Sequence, residues 1–309
     1  MNQHGQGSKN PTTNVIGDLR SPETFDVNRL FVSESTPTVS IPGNESRKRF
    51  EPLCGSVRFT PKPLRKSVNK YFILSKSDEG EILDMKHDQI MYINQPKIMI
   101  IPREYISHHS EHGIYECSLM TWIAQEFSSK DKIFLDIGAH TGTFSINLAK
   151  HFQRVYAFEP QKMTYYALCG SVALSNLENI TCINTALGSE EQCKTGTAIL
   201  NITSEDGGSS SIYKSSTLPT LREELVQIKT LDTYADIFKG DIGAIKIDVE
   251  NNELDVLKGA VKCLENSNYP RIFFESDAPD GELFDFLKGL GYTTVNIQSY
   301  TNMYLAEKK

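Results

Sequence analysis

A strand-like run that ends in an acid and leads into two glycines constrains the fold of this chain more than any other stretch. Residues 132–135 are mostly apolar, Asp136 follows, Gly138 and Gly142 stand four residues apart, and an amphipathic segment extends to residue 152. This order predicts a β-strand, a tight loop and a helix. Glycine tolerates positive φ, and the following helix begins with unpaired N–H groups. The stretch therefore predicts a nucleotide-like ligand at the loop; the alternative is a turn that binds nothing.

A second apolar run ends in an acid about twenty residues after the glycine loop, where α/β nucleotide-binding folds place a carboxylate for ribose hydroxyls. It covers residues 154–158 and is followed by Glu159 and Pro160. Residues 162–174 then have helical apolar spacing, and residues 180–183 are predicted to form a third strand. This β-α-β-α-β order predicts parallel strands with helices on both faces.

Polar residues mark the ends of the next predicted strands. Thr185 and Ala186 lie just beyond the third strand, at the edge where parallel α/β sheets bind ligands. In the strand predicted at 242–250, Lys246 and Asp248 are two residues apart and share a face. Burying these two charges is costly unless they pair with each other. They predict a catalytic site, with a structural ion pair or a helix cap made by Asp248 as alternatives.

Further elements complete a predicted seven-stranded sheet. They are an amphipathic helix over 116–127, a helix over 252–264, a strand over 271–275 that ends in Glu275, a helix over 282–290, and a closing hairpin of 292–297 with 303–306. Residues 189–225 interrupt this order with a turn-rich, charged stretch. That stretch predicts a long substrate loop or a simple insertion.

The chain before the main domain, which is predicted over 114–309, divides into two regions. Residues 1–49 are rich in Ser, Thr, Pro, Asn and Gly and predict a disordered tail. Residues 50–113 predict a basic linker and a small antiparallel lead-in sheet. The strand-like runs are 71–74, 81–85, 91–93 and 97–102. Cations concentrate in residues 47–70 among aromatic side chains, so a solvated linker and a phosphate-binding patch are both open.

Composition limits the function classes. The net charge of −7 argues against general nucleic-acid binding by the whole protein. Six cysteines without a C-x-x-C spacing indicate neither a zinc site nor a disulfide framework. His108, His109 and His112 permit a metal site, although loop histidines more often face solvent or substrate. No apolar run is long enough for a membrane span or secretory signal, which predicts a cytoplasmic protein.

Seven segments of the chain resemble those of the FkbM family of S-adenosylmethionine-dependent O-methyltransferases and occur in the same order. They are DIGAHTG at 136–142, AFEP at 157–160, NTALG at 184–188, SSS at 209–211, TLDTY at 230–234, IKIDVE at 245–250 and FFE at 273–275. The resemblance spans about residues 116–305, with His140 and Asn251 where the family usually has Asn and Gly. It implies a class I methyltransferase, an α/β fold with a Rossmann-like seven-stranded sheet and helices on both faces.

The resemblance also implies a cofactor, S-adenosylmethionine (SAM), and a place for it. The residues predicted to bind SAM are Asp136, Gly138, Ala139, His140, Gly142, Glu159, Pro160, Thr185, Ala186 and Asp248, with the loop at 185–186 bordering the adenine. Family members act on hydroxyls of sugars or polyketides, which implies a small-molecule or glycan acceptor. The residues predicted to contact this acceptor are Ser209, Ser210, Ser211 and Glu275.

The methyl group of a sulfonium is already electrophilic, so the protein must align the acceptor oxygen, exclude water and accept the hydroxyl proton. Asp248 is the predicted base, Lys246 would orient the acceptor, and Glu250 with Glu275 would complete an acidic cup. One alternative places Mg²⁺ on Asp248, Glu250 and Glu275. Two other functions stay open: an RNA cap or ribose 2'-O methyltransferase that uses residues 47–70, and a non-catalytic adenosyl-binding protein.

Overall fold

The computed structural model describes residues 71–75, 98–102, 105, 108–109, 112–215, 217–239, 241–278, 281–297, 300 and 302–308. Within these residues the strands are β1 (Tyr71–Ser75), β2 (Ile98–Pro102), β3 (Ile133–Ile137), β4 (Arg154–Phe158), β5 (Ile180–Ile183), β6 (Ala186–Leu187), β7 (Thr197–Ile202), β8 (Arg222–Lys229), β9 (Ile242–Ile247), β10 (Arg271–Glu275), β11 (Thr293–Asn296) and β12 (Met303–Glu307). The α-helices are α1 (Cys117–Trp122), α2 (Thr143–Leu148), α3 (Lys162–Leu174), α4 (Ala235–Phe238), α5 (Glu253–Lys258), α6 (Val261–Asn266) and α7 (Glu282–Gly289). A π-helical turn at Ile123–Phe127 continues α1, and short 3-10 turns lie at Ala149–His151, Gln192–Thr195 and Leu231–Tyr234.

The main sheet has seven strands in the order β11-β12-β10-β9-β3-β4-β5. β10, β9, β3, β4 and β5 pair in parallel, whereas β12 is antiparallel to both of its neighbours. The predicted seven-stranded α/β sheet with its closing hairpin is therefore confirmed. The chain leaves β3 toward β5 and returns to β9 on the other side of β3, so the strand order reverses between β3 and β9. Open α/β sheets bind ligands at such a reversal, beyond the carboxyl ends of the strands.

Apolar side chains cover both faces of this sheet, because successive residues of a strand point to opposite sides. Phe134 packs in one cluster with Ile146 and Leu168, which belong to α2 and α3. Leu135 packs in a second cluster with Val256 and Leu264, on α5 and α6. All five residues of β3 are buried, as expected for a parallel strand covered on both sides.

Residues 189–225 contain regular strands, which contradicts a continuous long loop, whereas the alternative of an insertion and the role in substrate binding stay predictions. β7 and β8 pair antiparallel, and β6 joins β8 in parallel to form a separate three-stranded sheet. The turn-rich residues 204–211 return to this sheet through a bridge between Asn201 and Ser211. Alternation is hard to recognise in β8 because Leu225 is 71% exposed, next to the buried Val226.

The helix predicted over 252–264 is two helices, α5 and α6, with a break at Gly259. A Cβ on Gly259 would lie 2.1 Å from the carbonyl oxygen of Gly188, so the backbones meet at the break. Asp248 does not cap α5, which has no side-chain cap. The backbone N–H of Val249 instead donates to Glu253 Oε1 at 3.1 Å.

The predicted lead-in is present as an antiparallel pair of β1 and β2. Met99 and Ile101 of β2 are buried in the same cluster as Phe134, so this strand packs against the main domain. The N–H of Ile100 donates to the hydroxyl of Ser171 on α3 at 2.8 Å. β2 is therefore part of the main core, although it precedes the predicted start of the main domain at residue 114.

Some predictions concern residues outside the described ranges. They are the disordered tail at 1–49, the basic segment 47–70 on which the RNA alternative depends, and the strands at 81–85 and 91–93. Among the helices of the described ranges, none combines the length and the apolar composition that crossing a bilayer requires.

Candidate functional site

A cavity of about 550 Å³ opens at the carboxyl edge of the main sheet, where β3, β4, β9 and β10 end. Most of the predicted site residues lie in its wall. They are Asp136, Gly138, Ala139, His140, Glu159, Pro160, Thr185, Ala186, Ser210, Lys246, Asp248, Glu250 and Glu275. The predicted residues Gly142, Ser209 and Ser211 are not part of this wall.

The loop after β3 turns sharply because its glycines adopt left-handed backbone, with φ of +81° at Gly138 and +97° at Gly142. The N–H groups of Gly138 and Ala139 both donate to the carbonyl oxygen of Phe158, at 3.0 and 2.9 Å, which ties the loop to the end of β4. A Cβ on Gly138 would lie 1.7 Å from the carbonyl oxygen of Asp248. Only glycine fits this contact between the two backbones.

Asp136 holds the start of α2. One of its carboxylate oxygens accepts the N–H and the hydroxyl of Ser145, at 2.9 and 2.5 Å. The side chain is buried, and this burial raises the pKa of Asp136 to about 6 against the opposing effect of Ser145. The acid at the end of β3 thus stabilises the positive end of a helix and also forms part of the cavity wall.

Glu159, at the end of β4, binds two backbone N–H groups. Its Oε2 accepts from His140 at 2.9 Å and its Oε1 from Gln161 at 2.8 Å. Burial raises the pKa of Glu159 to about 8, although both hydrogen bonds act in the other direction. The ring Nε2 of His140 lies 2.9 Å from the carbonyl oxygen of Asp206, so the glycine loop also contacts residues 204–210. A carboxylate oxygen can accept more than one hydrogen bond, which leaves Glu159 capacity for a ligand hydroxyl.

Lys246 and Asp248 form an ion pair at the end of β9, with 3.0 Å between Nζ and Oδ2. The Lys246 side chain is 1% exposed and that of Asp248 is 33% exposed. The Lys246 ammonium also lies 5.2 Å from the ring centroid of Phe144. Burial opposes the charge on Lys246, but the carboxylates of Asp248, Glu116 and Glu275 outweigh it and raise the pKa of the lysine. The predicted pair is therefore present, and its carboxylate faces the cavity.

Three more carboxyl groups, those of Glu116, Glu250 and Glu275, surround this pair in the cavity wall. Burial, reinforced by Asp248 and the other carboxyls, raises the pKa of Glu250 to about 8 and that of Glu275 to about 7. Burial also raises the pKa of Glu116, although Lys246 opposes this. At pH values above these pKa values the cavity wall carries an excess of negative charge and favours a cationic ligand.

The sequence did not predict several residues of the wall. Glu116 enters the cavity from the start of α1, and Asn252 enters from the start of α5. The amide nitrogen of Asn252 donates to the carbonyl oxygen of Leu187 at 3.0 Å, which links the cavity to the three-stranded sheet. Tyr105 contributes a ring from before β3, and Tyr300 contributes one from between β11 and β12. Glu116, Tyr105 and Tyr300 reach the cavity only through the tertiary fold, so no signal in the sequence identifies them. Asn252 could have been predicted, because it follows Asp248 closely in the sequence.

Of the three serines at 209–211, two lie outside the cavity wall and contact residues that surround it. The Ser211 hydroxyl donates to the carbonyl oxygen of Glu250. The Ser210 hydroxyl lies 3.3 Å from Oε1 of Gln161 and is the one serine of the three that reaches the cavity. The Ser209 carbonyl accepts the hydroxyl of a nearby threonine at 2.7 Å.

Within the described residues, no group of three or more His, Cys, Asp or Glu side chains is placed to hold a metal ion. The geometry therefore gives no support to Mg²⁺ on Asp248, Glu250 and Glu275, or to a metal site among the histidines of 108–112. The ring of His108 instead stacks on that of Tyr115, with centroids 3.6 Å apart and an interplanar angle of 3°.

Comparison with known families identifies one match. The model for the Methyltransferase FkbM domain matches residues 136–294, about half of the chain, and this range runs from the end of β3 to the start of β11. No curated protein sequence matches the chain at a significant level.

Several solved structures are similar to this chain. Precorrin-6y C5,15-methyltransferase from Geobacter metallireducens GS-15 shares 13% identity, covers 63% of this chain and 90% of that chain, and has a TM-score of 0.40. An rRNA methylase from Streptococcus thermophilus shares 14% identity, covers 61% and 92%, and has a TM-score of 0.36. TYW2 from M. jannaschii, in complex with AdoMet, shares 14% identity, covers 69% and 80%, and has a TM-score of 0.36.

Proposed function

Because this chain belongs to the FkbM methyltransferase family, we propose that it transfers a methyl group from SAM to a hydroxyl of a sugar, glycan or other small molecule. The main support for this proposal is that three features predicted from the sequence line the same cavity. The glycine loop at Gly138, the carboxylate of Glu159 and the ion pair of Lys246 with Asp248 all line it. Together they supply a cradle for a nucleoside and a charged pair for an acceptor.

The residues of the cavity fit SAM. Glu159 has lone pairs for ribose hydroxyls, Thr185 and Ala186 form an uncharged wall suited to adenine, and Gly138 keeps the loop free of a side chain. The carboxylates around Asp248 complement the positive charge of a sulfonium. When bound, SAM supplies an electrophilic methyl group.

The remaining tasks fall to side chains of this protein. Asp248 accepts the proton of the acceptor hydroxyl, and Lys246 holds the Asp248 carboxylate in place through their 3.0 Å contact. Because Lys246 is buried and charged, it also keeps one positive charge close to the oxygen that loses its proton. Glu250 and Glu275 bind neighbouring hydroxyls of the acceptor.

The replacement Asp248→Asn tests this assignment. It keeps the size of the side chain but removes its capacity to accept a proton. We expect turnover to fall by about two to four orders of magnitude, with SAM affinity nearly unchanged. Turnover would be measured as transfer of a labelled methyl group to a panel of glycans, nucleotide sugars and capped RNA, and SAM affinity by calorimetry.

Asp285→Asn is the matched control, because Asp285 is an exposed carboxylate on α7, outside the cavity wall. It should leave both quantities unchanged. Full turnover by Asp248→Asn would reject Asp248 as the base. Absence of binding heat with SAM and with S-adenosylhomocysteine, on folded protein, would reject the proposed reaction itself.

A further inference from the structure

A second, open groove of about 560 Å³ lies beside the cavity. The groove and the cavity share His108, Glu116 and Tyr300 in their walls, so one leads into the other. Neither the groove nor these three residues belong to the range matched by the family model. Within the part of the chain that the structure describes, the groove thus offers a route from solvent to the acidic side of the site.

Aromatic rings, hydroxyls and an amide line the groove beside Glu116. The indole of Trp122 is partly exposed there, and its edge contacts with Phe127 and Phe273, at centroid distances of 5.0 and 5.9 Å, fix its orientation. The hydroxyls of Ser118 and Tyr300 lie 3.0 Å apart at the surface. Aromatic surfaces combined with a few hydrogen-bonding groups suit a ligand that has apolar faces and a polar rim. Sugar rings have this character.

The charges exclude one kind of sugar. Among the described residues that line the cavity and the groove, Lys246 is the one lysine or arginine, and Asp248 already neutralises it. Glu116 stands where the two spaces meet, and Glu250 and Glu275 lie behind it. Among the described residues, a phosphate at this junction would meet no lysine or arginine other than the paired Lys246. His108 and His112 are the remaining groups there that can carry a positive charge, and the phosphate would face the Asp248 carboxylate. The groove therefore favours an acceptor without phosphate.

We propose that this groove binds an uncharged sugar ring of the acceptor, with Trp122 and Tyr300 against its faces and Glu116 beside the hydroxyl that enters the cavity. This inference rests on the proposed function, because it names the class of acceptor for the same site. Glu116 is then a positioning residue that orients the sugar toward Asp248.

Trp122 is the only tryptophan in the chain, so its fluorescence reports directly on the groove. The full chain, saturated with S-adenosylhomocysteine, would be titrated with methyl glycosides of glucose, galactose, mannose and rhamnose, and separately with hexose phosphates. We expect at least one glycoside to shift the Trp122 emission and to shield it from acrylamide. The phosphates should bind about tenfold more weakly or worse. No response to any glycoside, or tighter binding of a phosphate, would overturn the inference.

A matched pair of variants places the ligand in the groove. Gln125→Phe puts a large ring in the groove wall, whereas Glu126→Phe puts the same ring on an adjacent residue that is also exposed but lies outside the groove. The first should weaken glycoside binding by about tenfold or more, while the second should leave it nearly unchanged. Equal effects of the two variants would contradict the location.

These outcomes can be separated from failure of the proposed function. Binding of S-adenosylhomocysteine, measured by calorimetry, tests the cofactor cavity and should be the same in both variants and in the unmodified chain. If it binds and a glycoside perturbs Trp122 but receives no methyl group, the groove stands and the proposed reaction falls.

Discussion

Among the described glycines, Gly138 leaves the least room for an added Cβ. Its φ of +81° is strained for any residue with a side chain, and its position leaves only 1.7 Å between an added Cβ and the carbonyl oxygen of Asp248. Glycine is therefore required for two independent reasons, backbone conformation and space. The contact fixes the spacing between the loop that would hold SAM and the carboxylate that would act as base.

Three glycine-to-alanine replacements separate these reasons. Gly138→Ala should lower the free energy of unfolding by about 2 kcal/mol or more, because it adds overlap to strain. Gly196 has φ of +72° but no atom within 4 Å of an added Cβ, so Gly196→Ala should cost only about 1 kcal/mol. Chemical denaturation measures all three proteins, and calorimetry with SAM should detect weaker binding for Gly138→Ala alone.

Gly289→Ala is the control. This residue ends α7, has ordinary φ and has open space around an added Cβ, so the replacement should be neutral or slightly stabilising. If Gly138→Ala cost no more than Gly196→Ala, the backbone contact with Asp248 would not matter for stability.

Glu250 gives a prediction about pH. Burial and the nearby carboxylates raise its pKa from 4.5 to about 8. The folded protein therefore holds this proton more tightly than the unfolded chain, and the free energy of unfolding should fall as pH rises between these two values. Glu250→Gln removes the titration, so the variant should gain stability relative to the unmodified chain toward higher pH. Denaturation of both ligand-free proteins at several pH values measures the difference; a difference that is constant or opposite in sign would contradict the raised pKa.

The strands that are buried on both faces of the sheet could be predicted from the sequence. β3, β4, β9 and β10 are short apolar runs, and each is followed by or ends in an acid, so the strands and the acids Asp136, Glu159 and Asp248 could be found together. β8 could not, because its charged residues and the exposed Leu225 hide the alternation. Glu116 could not either, since it lies well before the glycine loop and reaches the cavity only through tertiary folding.

The burial of β2 predicts that the lead-in stabilises the main domain. Met99 and Ile101 are 2% and 0% exposed, and each buried side chain of this kind contributes roughly 1.5–3 kcal/mol. A chain that begins at residue 114 should therefore be less stable than one that begins at residue 70 by about 3 kcal/mol or more. Denaturation of the two truncated chains measures this. Equal stabilities would mean that the lead-in does not stabilise the core and would support the predicted domain boundary at 113.

For the whole molecule, the order of elements along the chain was enough to predict the topology of the sheet. Short β-α-β connections allow few arrangements of parallel strands, and the closing hairpin follows the last helix directly. The net charge of −7 and the acidic cavity have the same sign, so the protein as a whole attracts cations toward the site. The wall of the groove was not predictable, because the lead-in, α1 and the segment around Tyr300 are distant in sequence.

The described wall of the groove comes from residues between His108 and Gln125 and from Tyr300, whereas the glycine loop and the strand-end acids lie within 136–294. If the groove binds the acceptor as proposed, part of the acceptor site lies outside the stretch that would bind SAM. Exchange of the two flanking stretches between related chains would retarget such an enzyme without disturbing its reaction centre, and new specificities could arise by recombination at the borders of a preserved middle.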